Sequence, residues 1–344
     1  MSYQADHFTI SPIPAISHPR SCGIKSFVSD LFNFLKKHCE RLLAGEAGNP
    51  INNRSENSHS PKKYEDIGPT AGLVAYYRSF SDIPFANEIA VAINAEMLCK
   101  DLMTKDKQFL SRLRIAFEAR FKSIDEVLKQ YPNIRNYIEI PSGFSTRGLS
   151  KIKEDINAHY IECDLSMILA KKKEVVLRLL ANEDVANMQN LHFEAVSIFD
   201  LQQLNRVIDK MPNGPIAIIT EGLFSYLNTE EKTIAAVNVH NILKSRKGVW
   251  IVSDITRLFK SNDLKARDLR QRISNSTGFS PITGCFESIR DAKRFFEQIG
   301  FIVNDHRRSE VIEALSTKAM SGLTDADIFE LLEPQSTFAL EVKP

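Results

Sequence analysis

The stretch RNYIEIPSGFSTRG (Arg135–Gly148) passes from a short β-prone apolar run into a turn of small residues and on toward a helix. The same step recurs downstream in HYIECD (His159–Asp164), LHFEAVSI (Leu191–Ile198), PIAIITE (Pro215–Glu221), VWIVSDI (Val249–Ile255) and GFIVND (Gly300–Asp305), with helix-compatible stretches between them. Strands alternating with crossover helices predict an α/β fold built on a doubly wound, mostly parallel sheet that begins near residue 134. Ligands of such sheets bind outside the carboxyl ends of the strands, so candidate chemistry is sought just after each run.

After the first run, Pro141–Gly148 is a turn whose small residues let backbone N–H groups approach a ligand at a helix start. Only Gly143 and Gly148 are glycines, so the segment is not a G-x-G-x-x-G fingerprint. After the second run, Glu162 and Asp164 stand two apart on one face of a strand, a little over twenty residues past the glycine turn, where dinucleotide-type folds put the acid that accepts ribose hydroxyls. Asp164, at the carboxyl edge, is the better candidate; the alternative is two solvated charges leading into a helix. After the fourth run, Glu221 stands at the mouth of a central apolar strand, and a carboxylate there needs a partner, either a cationic ligand group or a structural salt bridge. Gly222 permits close approach of a ligand, and Asn228 with Glu231 predicts a capped helix start.

Before the sheet, residues 64–130 read as helical, with EIAVAINAEMLCKDLM and FLSRLRIAFEARFKSIDEVLKQ nearly free of breakers. Residues 1–63 are rich in Ser, Pro, Asn, Gly and His and form an expected disordered arm, with one amphipathic helix near 24–43 carrying Phe27, Val28, Leu31, Leu35, Cys39 and Leu42 on one face. The catalytic unit is therefore expected over 64–344. With 344 residues, 43% of them hydrophobic, the chain can bury a large core, and 44 Lys+Arg against 43 Asp+Glu give a net charge of +1 that argues against a nucleic-acid partner. No apolar run reaches the roughly 18 residues of a membrane-spanning helix, and the N-terminus lacks an export signal. Five widely spaced cysteines without a C-x-x-C pair argue against a disulfide framework or zinc site, and the expected location is cytoplasmic. P-loop and G-x-S-x-G motifs are absent, and the oligomeric state is not indicated.

Four ordered blocks carry a further signal: GPTAGLVAYYRSFSDIPFA (Gly68–Ala86), AFEARFKSIDEVL leading to IEIPSGFSTR, YIECDLSMILAKK, and ITEGLFSYLNTEE. Their order and spacing across roughly 64–305 resemble the leucine carboxyl methyltransferase family, which includes polyketide-type O-methyltransferases. The resemblance implies a seven-stranded class I methyltransferase sheet, Rossmann-like, with N-terminal helices and a helical cover. It further implies S-adenosylmethionine as methyl donor and a carboxylate or hydroxyl oxygen, on a small molecule or a protein terminus, as acceptor.

By the same resemblance, the arginine that meets the donor's methionine carboxylate falls on Arg78. The glycine turn falls on Pro141 and Gly143, the ribose acid on Asp164, the adenine segment on Ser197 and Ile198, and the acid after the fourth strand on Glu221. Two segments depart from the family pattern. Where relatives read E-L-G-x-G-x-D-T-R, this chain has Pro141 for the first glycine and Ser145 for the aspartate, and Ser197 replaces the adenine-contacting acid, leaving Asp200 as the nearest carboxylate. A degenerate relative with weak donor binding is the alternative to an active enzyme.

Methyl transfer from a sulfonium requires alignment more than a proton donor, and only an alcohol or phenol acceptor requires a base. Tyr226 is the one nearby titratable group singled out as a catalytic candidate. His159 and His192 read as structural or solvent-facing, Arg147 as either substrate-orienting or structural, and the Lys171–Lys173 run as a solvated face. The insertion from Leu258 to Phe286 is expected to cover the acceptor, with Phe144, Phe224 and Tyr226 as an apolar wall.

Overall fold

The computed structural model describes residues 68–180, 189–259, 262–278 and 284–343. The arm expected over 1–63, with its helix near 24–43, lies outside the described residues. Seven strands form one sheet: β1 (Asn136–Glu139), β2 (His159–Cys163), β3 (Leu191–Glu194), β4 (Ile216–Thr220), β5 (Gly248–Ser253), β6 (Phe301–Arg307) and β7 (Ser336–Val342), in the order β3-β2-β1-β4-β5-β7-β6. The first five pair in parallel, and β7 enters antiparallel between β5 and β6. This is the doubly wound, mostly parallel seven-stranded arrangement expected. Six of its strands correspond to the apolar runs; the seventh, STFALEV, is a strand that the run-by-run reading did not mark.

Why β4 and β5 read as unbroken apolar runs is visible in their packing. Ile216 and Ile218 face one core cluster while Ala217 and Ile219 face another, and Trp250 and Val252 alternate with Val249 and Ile251 in the same way. A sheet covered on both faces needs apolar residues at every position, not at alternate ones. The first cluster is closed by Ala235, Ala236, Val239 and Ile242 and by the aromatic group of Trp250, Phe296, Phe301 and Phe338, with Trp250 Nε1 donating to Thr220 Oγ1 at 2.8 Å. Ile124, Val127 and Ile134 close the second.

The longer helices are α1 (Gly68–Arg78) and α2 (Lys107–Lys129) ahead of the sheet, then α3 (Arg147–Glu154), α4 (Ser166–Leu180), α5 (Leu201–Ile208), α6 (Thr229–Arg246), α7 (Leu264–Thr277), α8 (Ile289–Ile299) and α9 (Asp325–Leu332). The start of α6 is the capping box read from sequence: the Asn228 side chain accepts from the Glu231 amide at 2.9 Å, and Glu231 returns the bond to the Asn228 amide at 2.9 Å. Replacing Asn228 with alanine is expected to lower stability by about 1 kcal/mol, read as a shift in the urea midpoint at unchanged slope.

One expectation needs correction here. Lys172, read as part of a solvated face, is buried, and its Nζ sits 2.6 Å from Glu162 Oε2. Glu162 is fully buried in β2, so a cation from α4 is what makes an acid tolerable there. Burial still pushes its carboxyl up to about 7 against the pull of Lys172.

Candidate functional site

A cavity of about 590 Å³ opens at the carboxyl ends of β1, β2, β4 and β5. That volume lies within the range of small-molecule sites, about 300–1,000 Å³. The sheet order reverses between β1 and β4, the switch point where such folds leave a crevice. Arg78, Pro141, Gly143, Asp164, Ser197, Ile198, Glu221 and Tyr226 all line this one cavity. They come from α1 and from four separate strand exits, so the fold brings together eight positions spread over almost 150 residues.

At the β1 exit the chain turns through Pro141, Ser142 and Gly143, with a cis Ile140–Pro141 peptide and Gly143 at φ +47°. A Cβ on Gly143 would meet Ala71 only at ordinary contact distance, so the turn needs this glycine for its backbone angle and not for space. The Asp164 carboxylate spans the gap between two strand exits: Oδ2 accepts from the Gly143 amide at 2.6 Å and Oδ1 from the Leu165 amide at 2.7 Å. Burial raises the Asp164 carboxyl, and these two amides with nearby Lys172 oppose the shift. Pro141 forms part of the wall, and the cavity remains beside it.

At the β4 exit, Glu221 is the centre of a buried ionic network. Its Oε1 accepts from Arg78 Nη2 and from Arg120 Nε, the latter at 2.7 Å. Its Oε2 lies 3.6 Å from Arg147 Nη2 and accepts no hydrogen bond among the described residues. Burial alone would raise this carboxyl; the guanidiniums of Arg78, Arg120 and Arg147 overcome that and hold it well below the usual carboxylate range. Arg120 also reaches Asp254 Oδ2 at 2.5 Å, and Arg308 Nη2 meets Asp254 Oδ1 at 2.9 Å. Burial lowers Arg78 to about 10, against the pull of Glu221. Of the two readings left open for Glu221 by the sequence, structural salt bridging is thus present, through arginines.

Tyr226 follows a single 3-10 turn, Phe224–Tyr226, and its phenol hydrogen-bonds with Thr70 of α1. Burial raises its pKa, with the Thr70 bond and Arg120 opposing. Ser197 is exposed at the β3 exit, its hydroxyl accepting from the Phe199 amide at 3.3 Å. Asp200 is not in the wall: its carboxylate caps α5 through the Gln203 amide at 3.0 Å. His159 and His192 do not line the cavity, and Phe144 and Tyr226 do. Phe224 is instead core, packed on Trp250.

Arg147 resolves to its structural reading. It is 1% exposed, its Nε donates to Asp125 Oδ1 at 2.7 Å, its Nη1 binds Glu139, and its plane stacks 4.1 Å from the Phe121 ring centre. Sequence reasoning missed Arg120, Asp254 and Arg308. Asp254 stands at a strand exit just as Asp164 and Glu221 do, so the same rule would have found it. Arg120 gave no such signal: it reads as one more charge of a helix, and only the structure shows that it and Glu118, on different sides of α2, are both buried.

No protein-family model matches the sequence, and no curated protein matches it. Among solved structures the fold is similar to a protein of the DUF574 family from Streptomyces avermitilis, at 14% identity and a TM-score of 0.51, over 80% of this chain and 97% of that one. A magnesium protoporphyrin IX methyltransferase from Synechocystis, solved with bound S-adenosylhomocysteine, aligns at 11% identity and a TM-score of 0.44, over 81% of this chain and 97% of its own. At these identities the likeness bears on the fold alone.

Proposed function

We propose that this chain is an S-adenosylmethionine-dependent O-methyltransferase that transfers a methyl group to a carboxylate or hydroxyl oxygen of a small molecule or a peptide terminus. The observation that carries the reading is the convergence of Arg78, Gly143, Asp164, Ser197, Ile198 and Glu221 on one cavity at the sheet's switch point. The residues fit such a donor: Glu221 keeps a buried oxygen without a hydrogen-bond donor, suited to an ammonium, and the Gly143 turn, its amide held by Asp164, lines the cavity. When bound, the donor supplies a sulfonium-activated methyl for in-line displacement. Arg78, whose Nη2 holds Glu221 and whose Nε meets the Phe117 carbonyl, offers a carboxylate its Nη1, Asp164 accepts from vicinal hydroxyls, and Ser197 with the backbone at Ile198 borders the adenine end.

Among the described residues that line the cavity there is no histidine, and the Tyr226 phenol, raised by burial, stays protonated near neutral pH. In that form its hydroxyl is available to donate to an acceptor oxygen and not to remove a proton from it. That favours an acceptor oxygen already ionised, a carboxylate above an alcohol.

Calorimetric titration of the full-length protein with S-adenosylmethionine and S-adenosylhomocysteine tests the reading without knowledge of the acceptor. Micromolar binding is expected, and a folded sample that binds neither overturns it in favour of a degenerate relative. Asp164→Asn is expected to weaken S-adenosylhomocysteine about tenfold to a hundredfold, the worth of a charge-assisted hydrogen bond. Unchanged affinity would remove Asp164 from the site.

A further inference from the structure

Most charges of the cavity wall are matched within the protein. Arg78 and Arg120 answer Glu221 and Asp254, Glu139 is held by Arg147, and Asp164 by two backbone amides. Two cations of the wall are not matched. Arg257, four residues past the end of β5, and Arg270, on α7, both line the cavity, and neither forms an ion pair with a described residue. Arg270 Nε is buried and without a hydrogen-bond partner among the described residues. The carboxylates near them are committed elsewhere: Asp263 to Arg112 at 2.7 Å and to the α7 amides of Lys265 and Ala266, Asp254 to Arg120 and Arg308. Residues 260–261 and 279–283, which flank this part of the wall in sequence, include no Asp or Glu. Burial and the neighbouring Arg257 charge pull Arg270 below its ordinary value, and the Asp263 carboxylate, already bound to Arg112, offsets this only in part.

We infer that Arg257 and Arg270 form an anion-binding clamp at the cover side of the cavity, and that the methyl acceptor carries a carboxylate or phosphate, separate from the oxygen that is methylated, which this clamp holds. The acceptor role rests on the methyltransferase reading above. The strand order separates the two ends: β2, which carries Asp164, and β5, which leads to Arg257, are three strand spacings apart, about 14 Å. Asp164 and Ser197 mark one flank of the cavity, and the guanidiniums mark the other. The clamped group is an anchor and not the nucleophile, because an oxygen held by two guanidiniums has its lone pairs engaged and its charge neutralised. Arg257 is exposed and Arg270 half-buried, so the anchor sits toward the cavity mouth and leaves the interior to the reacting end.

The test titrates inorganic phosphate into the full-length protein in chloride-free buffer, with and without saturating S-adenosylhomocysteine, by calorimetry. The wild-type protein is expected to bind phosphate with a millimolar dissociation constant, and Arg257→Gln/Arg270→Gln to weaken it at least tenfold. Arg257→Gln alone is expected to fall between, and Arg267→Gln, an exposed cation of the same helix that does not line the cavity, to weaken it less than Arg257→Gln does. S-adenosylhomocysteine affinity should be the same in all four proteins. No saturable phosphate binding by the wild type, equal binding by the double variant, or an equal loss in Arg267→Gln would overturn the clamp. A wild type that binds phosphate as expected but not S-adenosylhomocysteine would instead overturn the donor reading and with it the acceptor role, leaving the anion site.

Discussion

Glu221→Ala is expected to lower stability by about 3–5 kcal/mol and to abolish S-adenosylhomocysteine binding, the largest combined effect of any single change in this chain. The stability part follows from what is left behind. Arg78 and Arg120 are 5% and 8% exposed and both bind Glu221 Oε1, so removal of the carboxylate strands two guanidiniums in the interior. Breaking one side of a buried pair is far more damaging than never having built it. Glu221→Gln separates the charge from the shape. The folded carboxyl is held well below its ordinary value, so its contribution is complete above about pH 4.3 and is lost as pH falls below that. Urea unfolding across pH 3 to 7 should therefore show an acid-side decline in the wild type that is reduced in Glu221→Gln. A variant as stable as wild type with the same acid limb would contradict the network.

Arg147→Ala should lower stability by a similar amount, about 3–5 kcal/mol, with the opposite consequence for the ligand. Glu139, 1% exposed, would keep only the Tyr160 hydroxyl at 2.8 Å, and Asp125 would lose its 2.7 Å partner. Arg147 does not line the cavity, so S-adenosylhomocysteine affinity at a temperature where the variant remains folded should be little changed. Arg147→Lys is expected to recover part of the loss, since an ammonium replaces the charge but not the fork that spans Asp125 and Glu139. Loss of ligand binding without loss of stability in Arg147→Ala would return this residue to the substrate side.

The contrast between these two residues marks where sequence reasoning was strong and where it was blind. Strand exits could be read because the parallel sheet obliges its strands to be apolar throughout, so Asp164 and Glu221 stand out against β2 and β4. Where those acids turn could not be read. Asp164 bridges to the Gly143 amide and Glu221 to Arg78 and Arg120, partners 21, 143 and 101 residues away. Buried charge on a helix misled for the same reason. Lys172 looks like one of three solvated lysines until the α4 turn aims it at Glu162, and Arg120 looks like helix surface until α2 is laid across the strand ends. The seventh strand escaped because three short helical segments separate it from β6 and it pairs antiparallel to the rest of the pattern.

The insertion of β7 between β5 and β6 has a consequence for the order of assembly during synthesis. Trp250 and Val252 of β5 face Leu340 and Phe338 across an antiparallel ladder, a separation of some 90 residues in the chain. Until Ser336–Val342 has been made, β5 has an open edge, and β6 has no place in the sheet. Asp254, which follows β5 directly, anchors both Arg120 and Arg308, so the ionic network around the cavity waits on the same event. A chain made only to that point would hold β1 to β5 and their helices with the apolar edge of β5 exposed. The β5–β7 pairing is thus a long-range closure, in which one strand joins the two halves of the sheet.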